Sequence, residues 1–274
     1  MFPNLFFKPT ISIFTLKLSS YFLFMFTGIF LAAVLLLYLT RKEKEIDRAR
    51  LFDFMLTVIF CGLLGAKLFH VLIEKPAFFF KNPMNIFRYW NLGFVYYGGL
   101  IGGLVGGVLY SKFAKISFFK FADIVSPFLS FGLAIGRMGC LSAGCCYGKP
   151  TDFFWGITFS KTKIVDNVIP QVLARHPEYI GVMVHPTQII SVLCNFMIFI
   201  ILIFIAKNKR FDGQIVFLLC ILYSAFRFFL EFLRGDEGRG MYFNNFISTS
   251  QIIAVLIFIF SIVLYLKRRN KENK

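Results

Sequence analysis

Long apolar runs separated by short polar connections set the pattern of this chain. Runs of about twenty apolar residues, the length needed to cross a ~30 Å hydrocarbon core, cover 14–39, 51–73, 94–110, 118–135, 188–206, 214–233 and 247–266. They predict an all-α membrane protein of about seven transmembrane helices. The connections at 41–50, 111–120 and 207–210 and the tail from Lys267 are short and densely basic. Those at 74–93, 137–187 and 234–248 carry far fewer Lys and Arg per residue. Short Lys- and Arg-rich loops stay in the cytoplasm, so the N-terminus is expected outside and the C-terminus inside. The first run ends in Arg41-Lys42 with no small-residue cleavage site after it, and is expected to be a retained span rather than a signal peptide.

Two segments depart from this simple alternation. The connection 137–187 is too long for a turn, and it contains Pro150, Pro170 and an apolar alternation around Trp155 to Phe159. It predicts a small, partly β external subdomain at 138–186, inserted in a single polytopic domain 1–274. The subdomain ends at His185-Pro186-Thr187-Gln188, where proline pre-sets the start of a helix. The third run carries Gly98-Gly99, Gly102-Gly103 and Gly106-Gly107. Such a stripe of small residues serves close helix packing; the other reading is a cleft where a lipid headgroup approaches backbone. It is no phosphate loop, because the Walker lysine and hydroxyl are missing.

Composition agrees with the pattern: 58% hydrophobic against 16% charged residues lies far outside the balance of a soluble domain. In so apolar a chain the net charge of +16 reads as cytoplasmic-loop bias, and no nucleic-acid partner is expected. Cys61, Cys194 and Cys220 sit singly in apolar runs, where thiols behave as small hydrophobes. Cys140, Cys145 and Cys146 instead cluster within 136–148, beside Arg137 and four glycines.

Ionisable groups inside spans are expensive and point to function. They are Lys67 and His70 in the second run, Arg137 at the end of the fourth, and Arg227, Glu231 and Arg234 in the sixth. The last three stand at i, i+4 and i+7 on one helix face. Two arginines around one carboxylate leave a positive charge uncompensated, which is a site for an anion. With the orientation above, Lys67, Arg137, Arg227, Arg234, Tyr97 and Gln188 all fall at the outer level. A phospholipid headgroup suits such a site, because arginine matches phosphate bidentately and stays charged. The competing reading is an interfacial ion-pair cluster that snorkels and does no more.

These residues resemble a known family. The stretch 136–148, Phe131-Gly132-Leu133, Tyr97-Gly98-Gly99-Leu100-Ile101-Gly102, His185-Pro186-Thr187-Gln188, 223–234 and Ser248-Thr249-Ser250-Gln251 are similar, in order, to motifs of bacterial prolipoprotein diacylglyceryl transferases. The resemblance implies a multi-pass enzyme of the bacterial cytoplasmic (inner) membrane. It would move diacylglycerol from phosphatidylglycerol to the lipobox cysteine of a preprolipoprotein signal peptide, forming a thioether and releasing glycerol phosphate. Phosphatidylglycerol, the preprolipoprotein and membrane lipids are then its partners, and no cofactor or metal is implied. Arg137 takes the place of the signature arginine and Arg227 that of the essential arginine in the sixth span. Tyr97 and Glu231 complete the catalytic candidates, with Arg234, Tyr223, Lys67, Gln188, Gly98 and Gly99 as substrate-binding candidates.

The chain also departs from the family pattern. Tyr97 replaces a histidine before Gly-Gly-Leu, Cys140, Ala143 and Cys145 replace asparagine, asparagine and glutamate, and Lys67 stands where an arginine is common. A lipobox thiol with a pKa near ~8.5 is mostly protonated at neutral pH, and Tyr97 is a poor base unless a nearby cation lowers its pKa. Cys140, Cys145 and Cys146 form a candidate thiol site with four readings. These are a disulfide from Cys140 to Cys145 or Cys146, a structural set of small residues, a metal site needing a fourth ligand such as His185 without a recognised zinc spacing, and a nucleophile that takes the lipid first. Two other functions remain open: a paralogous lipid transferase with another acceptor, and a non-catalytic lipid-binding or thiol-redox membrane protein.

Overall fold

The computed structural model describes residues 10–13, 16–42, 47–74, 76–82, 84–88, 94–159, 179, 181–235, 240–242 and 247–272. The centre of the expected external subdomain, 160–178, therefore lies outside the described residues, as does Pro170. The chain divides into two compact units, residues 1–36 with 126–274 and residues 37–125.

The first unit opens with an antiparallel hairpin of β1 (Thr10–Ile13) and β2 (Leu16–Ser19). The alternation of Ile11, Ile13, Leu16 and Leu18 with polar neighbours has the period of a strand, so helix α1 starts at Ser20 (Ser20–Leu39) rather than at 14. Helix α1 meets α6 (Phe118–Ala143) through glycines. A Cβ on Gly28 would lie 2.9 Å from the Gly132 carbonyl, and one on Gly139 would lie 3.1 Å from the Tyr21 carbonyl. Small residues let the two backbones touch, the usual device where lipid offers no hydrophobic drive for association.

Helices α7 (Thr187–Ala206), α8 (Gln214–Leu233) and α9 (Thr249–Glu272) complete this unit. The buried stripe of α7 runs Thr187, Gln188, Ser191, Asn195, Ile198, Leu202, so its inner face is largely polar. Ser130 of α6 donates to the Asn195 carbonyl at 2.8 Å. Large apolar residues such as Leu193, Phe196, Met197, Phe204 and Phe229 point outward instead. Polar inside and apolar outside is the arrangement of helices solvated by hydrocarbon. Between α6 and α7, β3 (Ile157–Thr158) pairs antiparallel with β4 (Met183–Val184). Between α8 and α9, β5 (Met241–Tyr242) pairs with β6 (Ile247–Ser248).

The second unit is built on α2 (Arg48–Phe69) and α5 (Tyr96–Phe113), with the short helices α3 (Pro76–Lys81) and α4 (Asn85–Arg88) in the connection. Asp47 caps α2 by accepting from the Ala49 and Arg50 amides. The glycine stripe of α5 lies on α2: a Cβ on Gly98 would strike the Gly65 carbonyl, and one on Gly102 the Cys61 carbonyl. This is the packing reading of the stripe.

Among the described residues, six helices are long and apolar enough to cross a membrane: α1, α2 extended to Ile73, α6, α7, α8 and α9. Helix α5 forms where a seventh span is expected, but its six paired glycines dilute its hydropathy. The protein is a multi-pass helical membrane protein.

Candidate active site

Helix α6 does not stop at 135 but continues to Ala143, which puts Arg137 and Cys140 on its last turns. It ends in a Schellman motif: Gly144 has φ +64, its amide donates to the Leu141 carbonyl, and the Cys145 amide donates to the Cys140 carbonyl. The chain then folds back through Cys146, a non-glycine residue at φ +62. The outcome is that the Sγ atoms of Cys140, Cys145 and Cys146 all lie within 4.8 Å of one another, with Cys145 and Cys146 at 3.5 Å.

The start of α7 and the end of α8 hold this loop in place. Gln188 Nε2 donates to the Cys145 carbonyl at 2.8 Å and Thr187 Oγ1 to the Cys146 carbonyl at 2.5 Å. Gln188 is buried, and its Oε1 finds no donor among the described residues. Residues 147–149 are gripped on both sides. The Gly148 amide donates to the His185 carbonyl and the His185 amide to the Lys149 carbonyl. On the other flank, the Lys149 amide donates to the Leu233 carbonyl and the Gly235 amide to the Tyr147 carbonyl. Gly148 is required by this double contact, since a Cβ there would meet the His185 carbonyl at 2.5 Å and the Leu233 carbonyl at 2.9 Å.

That grip sets Arg234, at the C-terminal cap of α8, beside the thiols. The i, i+4 spacing in α8 gives an ion pair, Arg227 Nη1 to Glu231 Oε2 at 2.6 Å, with the Glu231 side chain only 2% exposed. Arg227 Nη2 donates to Ser250 Oγ of α9 at 3.2 Å. Arg137 lies against the Tyr223 hydroxyl and within electrostatic range of Cys140 and Cys146. Arg227 feels both Arg234 and Arg137 as like charges. Arg137 of α6 and Arg227 and Arg234 at the end of α8 therefore share one neighbourhood, with Glu231 the carboxylate paired there among the described residues.

The thiols of the loop act as one group. Hydrogen bonds with Cys140 and Cys145 hold the Cys146 thiol well below its usual range despite burial, and Arg234 and Arg137 add to that. Hydrogen bonds with Cys140 and then Cys146, together with burial, push the Cys145 thiol up. All of the cysteines are free, so the disulfide reading is not realised. His185 does not complete a metal set either: its Nδ1 accepts from Trp155 Nε1 at 3.1 Å, and the ligand cluster among the described residues contains the three thiols alone.

The structure thus gathers Arg137, Tyr223, Arg227, Glu231, Arg234, Gln188 and the three thiols in the first unit. The other sequence candidates belong to the second. There Lys67 is buried, with its ammonium 5.4 Å from the Phe79 ring centroid and 5.6 Å from that of Phe94. Tyr97 is on the first turn of α5 with its ring edge-on to Tyr96, and Gly98 and Gly99 serve the contact with α2. The sequence motifs include Ser250 but assign it no partner, and they do not include Tyr21. Tyr21 lies within electrostatic range of Arg137 and the three thiols, and only the glycine contact of α1 with α6 brings it there.

Fold and site together define a polytopic helical membrane protein with a cluster of partly buried arginines, a chemistry suited to an anion. The chain belongs to the prolipoprotein diacylglyceryl transferase family, whose model matches residues 8–267. It is 35% identical over 263 residues to phosphatidylglycerol–prolipoprotein diacylglyceryl transferase 2 of Clostridium perfringens, covering 96% of this chain and 95% of the relative. To the phosphatidylglycerol–prolipoprotein diacylglyceryl transferase of Clostridium tetani it is 32% identical over 259 residues, covering 94% and 96%. To the enzyme of the same name from Oceanobacillus iheyensis it is 30% identical over 252 residues, covering 90% and 85%.

Proposed function

We propose that the chain transfers the diacylglyceryl group of phosphatidylglycerol to the lipobox cysteine of a preprolipoprotein signal peptide, forming a thioether and releasing glycerol phosphate. The observation that carries this reading is the convergence of Arg137, Arg227 and Arg234, with Glu231 paired to Arg227. Guanidinium groups fixed in this way suit the lipid phosphate. As the carbon–oxygen bond breaks, charge builds on that phosphate, and cations fixed beforehand stabilise it more than they stabilise the intact lipid. Glu231 orients Arg227, Ser250 receives its second amine, and Tyr223 positions Arg137. Lys67, Tyr97, Gly98 and Gly99 enter the proposal on their sequence positions, Tyr97 as a catalytic group and the others for substrate binding.

The same proposal gives the chain seven spans, with α5 as the third, and sets it in the bacterial cytoplasmic membrane as one polytopic domain with an external segment at 138–186. The N-terminus is outside and the C-terminus cytoplasmic, which the Lys and Arg excess of 41–50, 111–120, 207–210 and the tail supports. On this reading the arginine cluster lies at the outer side, where exported signal peptides arrive.

Release of glycerol phosphate from vesicles containing phosphatidylglycerol tests the reading. The purified chain should release it only when a lipobox peptide is added, and not with a peptide carrying serine for cysteine. Release that ignores the peptide would mean a phospholipase-like activity and would contradict the proposal.

A further inference from the structure

The three thiols have no part in holding phosphate, and their geometry asks for a separate account. A disulfide needs two sulfurs about 2.05 Å apart, whereas here three converge, the nearest pair at 3.5 Å. Thiolates bound to zinc at about 2.3 Å lie ~3.8 Å from one another in a tetrahedral site. The separations of 3.5 Å to at most 4.8 Å bracket that distance.

The surrounding loop is built for the same purpose. The Schellman turn at Gly144 and the left-handed Cys146 return the second and third sulfurs to the first. Thr187 and Gln188 fix the carbonyls of the loop, as outer-shell groups fix the residues that bind a metal. Three thiolates around a divalent cation carry a net negative charge, which Arg137 and Arg234 are near enough to offset. The CxxxxCC spacing matches no familiar zinc pattern, so this convergence is visible only after folding.

We infer that Cys140, Cys145 and Cys146 bind one thiophilic divalent cation, with zinc as the natural choice, and that its open fourth position takes the thiol of the acceptor cysteine. The second half rests on the transferase reading above. Catalytic zinc sites keep three protein ligands and one open position, and a thiol that coordinates the ion is deprotonated outright. The acceptor thiol therefore gives its proton to solvent on binding. Its sulfur then forms the bond to the glyceryl carbon while the bond from that carbon to the phosphate oxygen breaks. Glycerol phosphate leaves with the electron pair, and no oxidant or reductant takes part. Glu231 is occupied by Arg227 and is not needed as a base.

The test uses the full-length protein purified in detergent under a reductant and titrated with cadmium or cobalt, reading thiolate-to-metal charge-transfer absorption. About one ion per chain is expected, and Cys145→Ser and Cys146→Ser should each weaken binding by roughly tenfold or more, while Cys194→Ser should not. On the unaltered protein, saturating cadmium should protect Cys145 and Cys146 from alkylation, a reading that does not depend on how the variants fold. A lipobox peptide should then intensify the charge-transfer band, and its serine analogue should leave it unchanged. No band with the reduced protein, or a band indifferent to both cysteine changes, overturns the metal site. A band that ignores the lipobox peptide overturns the acceptor role. Full transfer activity after chelation would sink the inference and leave the transferase reading intact; a metal-binding chain without transfer under any condition would do the reverse.

Discussion

Arg227 condenses the chemistry of the site into one side chain, with one amine on Glu231 and the other on Ser250. Arg227→Ala should lower kcat by about 10²–10³, the usual cost of removing one preorganised charge-stabilising group. It would also remove the ion-pair partner of a buried carboxylate, and breaking a buried pair costs about 3–5 kcal/mol. Arg227→Lys keeps the charge but loses the fork, so it should recover stability in a thermal melt yet regain only part of the rate. Ser250→Ala removes one hydrogen bond from a charged group, worth about 1.5–3 kcal/mol at most, so a drop of roughly ten- to a hundredfold in kcat/KM is expected. The Arg227–Glu231 pair was legible because helix periodicity sets it, whereas Arg234 lies past the helix end, where its extended backbone bridges Gly148. Ser250 was not legible as a partner, since the pairing of α8 with the following helix decides it, and Tyr21 was not because it reaches the site from the first helix.

Helices α5 and α6 show how local rules and tertiary contacts divide the work. The glycine stripe was readable as a packing surface, and α2 supplies the other half of it. Gly98→Val should therefore lower the melting temperature in detergent, with overpacking at about 1–3 kcal/mol, because the branched side chain would meet the Gly65 carbonyl and the Phe69 side chain. The end of α6 was less readable. Hydrophobicity fades after 135, yet the helix runs on past Gly139, which lies against Tyr21 and Phe24 of α1, and only Gly144 terminates it. Gly148→Ala tests the grip on the next segment. It should reduce folded yield and move Cys145 and Cys146 away from Arg234, read as faster alkylation of both thiols in the protein that does fold.

At the scale of the whole molecule, apolar run length made the membrane class legible, and the exposed Leu, Ile and Phe residues of every long helix agree with it. Orientation depends on charge between the helices. A reporter enzyme active only outside the cell should be active when inserted in 74–93 and inactive when fused after Lys274. The opposite pattern would put the arginines on the cytoplasmic side and remove the proposed access of exported peptides. The thiol cluster was legible as composition but not as geometry, because three cysteines at uneven spacing converge only once a helix cap and a left-handed residue turn the chain back. The central claim is the transfer itself, and intact-mass spectrometry of a synthetic lipobox peptide incubated with the protein and phosphatidylglycerol measures it most directly. The account predicts a peptide heavier by one diacylglyceryl group, attached through its cysteine sulfur and absent with Arg227→Ala. A peptide of unchanged mass beside well-folded wild-type protein would contradict it.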